Sequence, residues 1–215
     1  MRNPVKPRHT AVSNRFHSLV SVVLIGVLAV QPALLSAQTI TQAGGQIGSG
    51  SHVDAAANGT PVLNIGKPNS AGVSHDIYTG FKADDLILNN AATSTNTRLG
   101  GWIEGNPNLR PGKEADVWIG EVVGGNQTQL NGILEVGGKT MDVVLANEFG
   151  ITCNGCGFVN TGRTTLTTGK PVFAGNGGLD GFDVRQGAVI IGANGLNPES
   201  RLAFADTSRV DVIGR

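Results

Sequence analysis

Glycine, proline and asparagine punctuation limits what this chain can fold into. Beyond position 40, no window of a dozen residues keeps a 3.6-residue apolar period without meeting a Gly, Pro or Asn cluster. A helix interior loses about 1 kcal/mol at each glycine and about 3 at each proline, so helices are disfavoured throughout. What remains are short apolar blocks between turn residues: PVLNIG, LILNN, VWIGEVV, GILEVGG, TMDVVLAN, GAVIIGANG and SRVDVIG. Several alternate with period two, as Met141, Val143 and Leu145 do around Asp142, or Val210 and Val212 around Asp211. That period turns one face of an extended strand toward a core. The chain reads as all-β.

Two architectures accommodate such blocks. A sandwich would reverse the chain between neighbouring strands, and LEVGGKTMDVVL predicts one such hairpin, with Gly137 and Gly138 supplying the positive φ of a two-residue turn. Elsewhere Gly and Asn occur singly at the edges of very short strands. That suits a coil that bends and continues, which is how a parallel β-helix is built. At roughly twenty-odd residues per coil, residues 38–215 would make about seven or eight coils. The expected fold is a parallel β-helix with a few hairpins grafted onto it. The final SRVDVIGR still alternates like a strand in progress, with no polar cap behind it. Solenoids need such caps, so the chain reads as a fragment or as the start of a longer stack.

Residues 1–17 hold Arg2, Lys6, Arg8 and Arg15 and no acid, and they run into LVSVVLIGVLAVQPALL and then SAQTIT. A basic start, an apolar run and small residues make the layout of a secretory signal, with Ala37 the last residue removed. A membrane anchor is the competing reading, but Gln31 and Pro32 leave only Leu19 to Val30 uninterrupted, where a span takes about 20 residues. The predicted division is a signal peptide over 1–37 and a domain over 38–215. Removal takes four of the 16 basic residues and none of the 16 acidic ones, leaving 12 against 16 and a net charge of minus four. Scattered cations and sparse aromatics exclude nucleic acid as a partner class, and no basic run survives for heparin-like ligands. With 40% apolar residues and a small net charge the chain is not of the disordered class. The mature 178 residues suffice for one sizeable core.

Four stretches carry a resemblance. GGWIEGNPNL (100–109), QLNGILEVGGKTMDVVLANEFGITCNGCGFVNTGRTTLTTGKPVF (129–173), LDGFDVRQGAVIIGANGLN (179–197) and NGTPVLNIGKPNSAGVSHDIY (58–78) resemble the N-terminal secretion domain of two-partner-secretion exoproteins. These are the filamentous-haemagglutinin-like adhesins and the contact-dependent growth-inhibition proteins. The likeness covers almost the whole mature chain, with its motifs in the family's order. It implies a right-handed parallel β-helix, export by the Sec machinery, and recognition by periplasmic POTRA domains of a partner barrel in the outer membrane. It also implies a secreted or cell-surface location, and a much longer exoprotein whose remainder acts as adhesin or toxin on a host or neighbouring cell.

The family shows two similar turns, NPNL and NPNGI. The first stands intact at Asn106, Pro107, Asn108 and Leu109, while the second reads Asn147, Glu148, Phe149, Gly150, Ile151. Proline presets φ at the second position of a turn and asparagine tolerates a left-handed third position. Glu148 and Phe149 give up both preferences, each worth about 0.5 to 1 kcal/mol, and Gly150 is left to take the left-handed conformation. Restoring Pro and Asn at 148 and 149 is expected to raise stability or secretion yield.

Cys153 and Cys156 enclose only Asn154 and Gly155. A thioredoxin-like pair should open a helix, but GFVNTGRTTLTTG follows. Zinc needs about four ligands, and the mature chain adds only His52 and His75, 78 to 104 residues away. In an oxidising periplasm the pair is expected to close as a disulfide, with free thiols and metal or redox work as the alternatives. GNGGLDGFD resembles a calcium turn but occurs once, so Asp180 and Asp183 are expected as turn formers. Trp102 and Trp118 are expected in the core. Asp183 with Arg185, and Asp84 with Asp85, offer charged pairs without a third partner, and no phosphate loop, Gly-x-Ser-x-Gly or zinc-protease motif is present. No catalysis, cofactor or metal is expected. The leading function is a secretion-signal domain that seeds folding of a longer exoprotein; the alternative is a stand-alone surface adhesin binding glycan or protein, and a polysaccharide-cleaving β-helix comes third.

Overall fold

The computed structural model describes residues 39–42, 50–196 and 207–215, and every regular element among them is a strand. The signal sequence expected over residues 1–37 lies outside the described residues. In chain order the strands are β1 (Thr39–Gln42), β2 (His52–Ala55), β3 (Pro61–Asn64), β4 (Val73–Ala83), β5 (Leu86–Asn90), β6 (Thr95–Thr97), β7 (Gly101–Ile103), β8 (Val117–Val122) and β9 (Thr128–Leu130). They continue with β10 (Ile133–Gly138), β11 (Met141–Asn147), β12 (Ile151–Cys153), β13 (Gly157–Val159), β14 (Thr161–Thr167), β15 (Gly169–Phe173), β16 (Leu179–Val184), β17 (Val189–Ile191) and β18 (Arg209–Ile213).

Each turn of the chain lays strands on three walls. The first wall stacks β3, β5, β10 and β13 in parallel. The second stacks the start of β4, then β8, β11, β14 and β18. The third stacks the end of β4, then β9, β12 and β17. The eleven-residue β4 bends from the second wall into the third, which joins those two walls in one sheet. This is a parallel β-helix. At its first rung two antiparallel strands close the stack: β2 lies beside β3 and β1 beside β4.

The second wall has five strands among the described residues, fewer than the seven or eight coils expected. Trp118 lies beside Val143 and Val143 beside Thr164, so uninterrupted rungs take 25 and 21 residues. Val73 beside Val117 and Thr164 beside Val210 are 44 and 46 apart. There the chain leaves the stack, once after β5 for the antiparallel hairpin β6–β7 and once after β14 for the hairpin β15–β16.

Those are the grafted hairpins; the one expected at Gly137 and Gly138 is absent. β10 pairs with β5 and β13, and β11 with β8 and β14, so the two never pair with each other. The reason is a clamp across the corner. The Asn90 amide of the preceding rung is buried and donates to the carbonyls of Ala115 and Lys139, while its oxygen accepts the Ala115 N–H at 2.8 Å. Gly138 passes through this corner at φ 87°, and the chain continues onto the second wall instead of reversing.

One continuous core fills the interior, with Leu63, Tyr78, Leu88, Trp118, Leu145, Phe158 and Leu166 all buried. Two smaller clusters lie on the outside of the walls. Val62 and Ile87 of the first wall are covered by Ile103 of the β6–β7 hairpin, with Leu99 packed against them. Val73, Ile119, Val144 and Ala146 of the second are covered by Leu179 and Phe182 of β16. This explains why β11 alternates less than its sequence predicts: both its faces are apolar because both are covered.

Inside the core, the Trp118 indole N–H donates to buried Asp76 at 2.8 Å, and Tyr78 packs edge-on against Phe81. Burial, and then the charge of Asp76, push the Tyr78 hydroxyl well above its ordinary value. A raised phenol means the folded chain holds this proton more tightly than the unfolded one. The contribution is complete below about pH 10 and is lost as pH rises beyond that value. Thermal midpoints measured from pH 8 to pH 11 should fall for the wild type above pH 10, and less steeply for Tyr78→Phe. A second expectation uses neighbouring glycines. An added Cβ at Gly124 would lie 1.7 Å from the Thr79 carbonyl oxygen, whereas at Gly125 it would meet nothing within 4 Å. Denaturant unfolding should show Gly124→Ala costing about 2–3 kcal/mol and Gly125→Ala less than about 0.5.

Candidate partner-recognition site

The two turns share one geometry. In the first, the Asn106 carbonyl accepts the Leu109 N–H at 3.0 Å and its side-chain oxygen accepts the Asn108 N–H at 2.9 Å. In the second, the Asn147 carbonyl accepts the Gly150 N–H at 3.0 Å and its side-chain oxygen accepts the Phe149 N–H at 2.9 Å. Asparagine at the first position therefore closes each turn twice. Asn108 and Phe149 both have negative φ, the one non-glycine exception among the described residues being Asn160. With an i to i+3 bond and no positive φ inside, both turns are type I. The left-handed third position expected at 108 and 149 is thus corrected. Gly150, one place later, carries the positive φ of 115°.

The asparagine amides point inward. Asn106, 2% exposed, donates to the carbonyls of Ile65 and Asn89 at 3.0 and 2.8 Å and so ties together the ends of two successive rungs. Asn147, 1% exposed, donates to the Asn126 carbonyl and the Thr128 hydroxyl at 3.0 and 2.9 Å. Leu109 and Ile151 are buried in the core. The turns sit at different corners with separate partners. The first belongs to the excursion between β5 and β8, the second to the corner between β11 and β12.

What faces solvent differs. At the first turn Pro107 is exposed, and Asn108 donates to the carbonyls of Gly50 and Ile65 at 3.2 and 2.9 Å. Pro107, Asn108 and Leu109 line a groove of about 830 Å³ together with Lys67, Arg110, Lys113 and Lys139. Glu114 and Asp116 are the acids of that groove, and Asp116 pairs with Lys139 at 2.7 Å. The surface there is basic, whereas residues 38–215 together hold 12 basic against 16 acidic residues. At the second turn Glu148 pairs instead with Lys170 of β15 at 3.0 Å.

Cys153 and Cys156 are joined by a disulfide, with Cα atoms 5.2 Å apart, and both are buried in the core. Their ring forms the corner between β12 and β13, and the Gly155 N–H donates to the Gly195 carbonyl at the corner of the next rung. Asp84 and Asp85 cap the equivalent earlier corner by accepting from the Asn131 amide and the Ile133 N–H. Three Asn-Gly pairs in the sequence, Asn131-Gly132, Asn154-Gly155 and Asn194-Gly195, mark that row of corners.

Other residues fall differently. Trp118 is in the core, but Trp102 is 69% exposed: on the short β7 strand, alternation sends Ile103 inward and Trp102 out. Asp180 and Asp183 belong to strand β16, since Asn176 and Gly177 already make the turn. The Arg185 hydrogen bond at 2.8 Å holds the exposed Asp183 carboxyl below its usual range. His75 meets Glu121 at 2.8 Å and His52 meets Asp54 at 3.3 Å. Among the described residues no group of three or more His, Cys, Asp or Glu is placed to hold a metal.

A three-walled stack closed by asparagine turns defines a β-helical solenoid domain. The chain belongs to the TPS secretion domain family, whose model matches residues 37–215. It is 48% identical over 199 residues to the "tRNA nuclease CdiA" of Yersinia mollaretii, covering 91% of this chain and 6% of that protein. It is likewise 48% identical over 197 residues to the "16S rRNA endonuclease CdiA" of Enterobacter cloacae, covering 90% of this chain and 6% of the relative. The crystal structure of a filamentous hemagglutinin secretion domain matches with a TM-score of 0.69 and 34% identity, over 83% of this chain and 56% of that one. The chain spans about 6% of the length of these curated relatives, and the nuclease activities in their names are those proteins' own. The family is that of secretion domains of secreted or cell-surface exoproteins, and it implies an outer-membrane transporter as partner.

Because Asn106 and Asn147 each satisfy buried groups, Asn106→Ala and Asn147→Ala should each cost about 2–3 kcal/mol in denaturant unfolding. Glu148→Pro suits a type I turn but gives up the Lys170 pair, so its change should stay within about 1 kcal/mol. Phe149→Asn loses its rationale with the negative φ.

Proposed function

We propose that residues 38–215, once the signal peptide over 1–37 is removed after Sec export, act as the export address of a longer exoprotein. Periplasmic POTRA domains of its outer-membrane transporter engage the domain, and the emerging stack then nucleates β-helix folding at the cell surface. Membership of the TPS secretion domain family supports the transporter half of this reading. The observation that carries the nucleating half is the asymmetry of the stack. Antiparallel β1 and β2 close its first rung. At the other end β17 and β18 run parallel to the strands beneath them, with the inward-facing Ile191 and Val212 43% and 49% exposed. In the column below Val212, Leu145 and Leu166 are fully buried, so each rung is completed by the one laid over it.

The proposed contact surface is exposed Pro107 and half-buried Asn108 of the first turn, with Lys67, Arg110 and Lys113 beside them. Buried Asn106 and Leu109 shape that surface, and buried Asn147 and Ile151 shape the second corner, none of them touching a partner. We assign Glu148, Phe149 and Gly150 to folding of the second corner, and the Cys153–Cys156 ring to stapling the third. The exoprotein beyond this domain would act as a contact-dependent toxin or an adhesin.

The test is retention of the mature protein on the immobilised periplasmic domains of its transporter. Arg110→Glu with Lys113→Glu should lower retention about ten-fold at low salt while leaving the thermal midpoint within 2 °C, since both side chains are exposed. Unchanged retention by this folded variant would remove the basic groove from recognition. No retention of the wild type would remove the transporter reading itself.

A further inference from the structure

A second surface lies outside that groove and shares no lining residue with it. Trp102 stands exposed on the β6–β7 hairpin, and the hairpin is firmly held. Buried Glu135 on β10 accepts the N–H groups of Arg98 and Leu99 at 2.7 Å each. The Asn58 amide and the Thr60 hydroxyl both donate to the Leu99 carbonyl, at 2.7 and 3.1 Å. Ile103 anchors the hairpin's inner face beside Val62 and Ile87. A buried carboxylate costs several kcal/mol unless its hydrogen bonds are made. Here they are made to the loop that aims the indole.

Beside Trp102 is a cavity of about 450 Å³ whose walls include Asp54, Asn64, Asn89 and Glu104, and no Lys or Arg. The amide donors of that wall are spent within it. Asn64 donates to Asp54 at 2.7 Å, and Asn89 donates to the Asn64 oxygen and the Glu104 carbonyl at 2.8 and 3.0 Å. Glu104 also accepts from the Ser94 hydroxyl at 3.0 Å, and His52 lies 3.3 Å from Asp54. The wall therefore presents carboxylate acceptors and an aromatic face. Sugar hydroxyls ask for donors as well as acceptors. A planar cation asks for an aromatic face and carboxylates, which are what this cavity supplies.

The geometry points to a binding site for an arginine side chain of a partner protein, its guanidinium laid on the Trp102 indole between Asp54 and Glu104. Cation–π stacking alone is worth about 2- to 30-fold in affinity, and each carboxylate adds a salt-sensitive increment.

Intrinsic fluorescence reads this directly, because Trp118 is fully buried and acrylamide quenching reports Trp102. An acetylated, amidated Arg-Gly-Arg peptide titrated into the mature protein at low salt should shield Trp102. The same peptide with neutral citrulline for arginine should bind at least about ten-fold more weakly. By calorimetry, Trp102→Ala should abolish the arginine-peptide signal, and Asp54→Asn and Glu104→Gln should each weaken it about 3- to 10-fold, with thermal midpoints unchanged. If Trp102→Ala lowers the midpoint, Glu104→Gln decides. Equal shielding by citrulline, wild-type affinity in both carboxylate variants, or shielding by a neutral glucan oligosaccharide alone would overturn the assignment.

Discussion

Buried asparagine amides at the corners are the interaction on which this fold depends. Parallel walls satisfy their own backbone groups rung against rung, but a chain that must turn three times per rung leaves N–H and C=O groups at each bend. Water cannot serve the buried ones, so a side chain must. Asparagine carries two donors and an acceptor on a short arm, the set that such a bend needs. Asn90 holds Ala115 and Lys139, Asn106 holds Ile65 and Asn89, and Asn147 holds Asn126 and Thr128. Asn160 completes the pattern, donating to the carbonyls of Val136 and Gly138 from a left-handed φ of 54°. Every one of these bonds reaches another rung or an excursion, so the corners fasten the stack along its length as well as closing each coil.

The same logic explains where the chain leaves the stack. A rung has an inner and an outer face, and the outer faces of Val62 and Ile87, or of Ile119 and Val144, are apolar too. A bare stack would expose them. The two hairpins cover them, one on the first wall and one on the second. Each costs about one rung's length of chain, which is why the coils are fewer than length alone predicts. The buried Glu135 belongs to this arrangement: it sits on the first wall and turns its carboxylate to the loop of the covering hairpin.

Much of this was legible in the sequence. All seven apolar blocks are strands, because alternation and flanking turn residues report a local property of the chain. The all-β class, the continuing coil and the closing asparagines of NPNL and NEFGI follow from the same local chemistry. Long-range terms decided the rest. Gly137 and Gly138 would make a good hairpin in isolation, and only the buried Asn90, nearly 50 residues earlier, turns them into a corner. TGRTTLT of β14 holds a single large apolar residue, Leu166, yet Thr164, Thr165 and Thr167 are buried as well, with β11 and β18 on either side of them. Trp102 sits in an apolar run that reads as core, and a three-residue strand places it outside.

The two similar turns separate structural residues from those proposed to meet a partner more sharply than either does alone. Both use a buried asparagine in the same two bonds, so that residue is explained by the corner wherever the corner occurs. The positions that differ are the second and third. Pro107 and Asn108 look onto a groove with four cations, whereas Glu148 is occupied by Lys170 of the covering hairpin. A residue kept by geometry at both corners carries no information about a partner. A surface present at only one of them, and charged against the sign of residues 38–215 as a whole, is the one proposed for recognition.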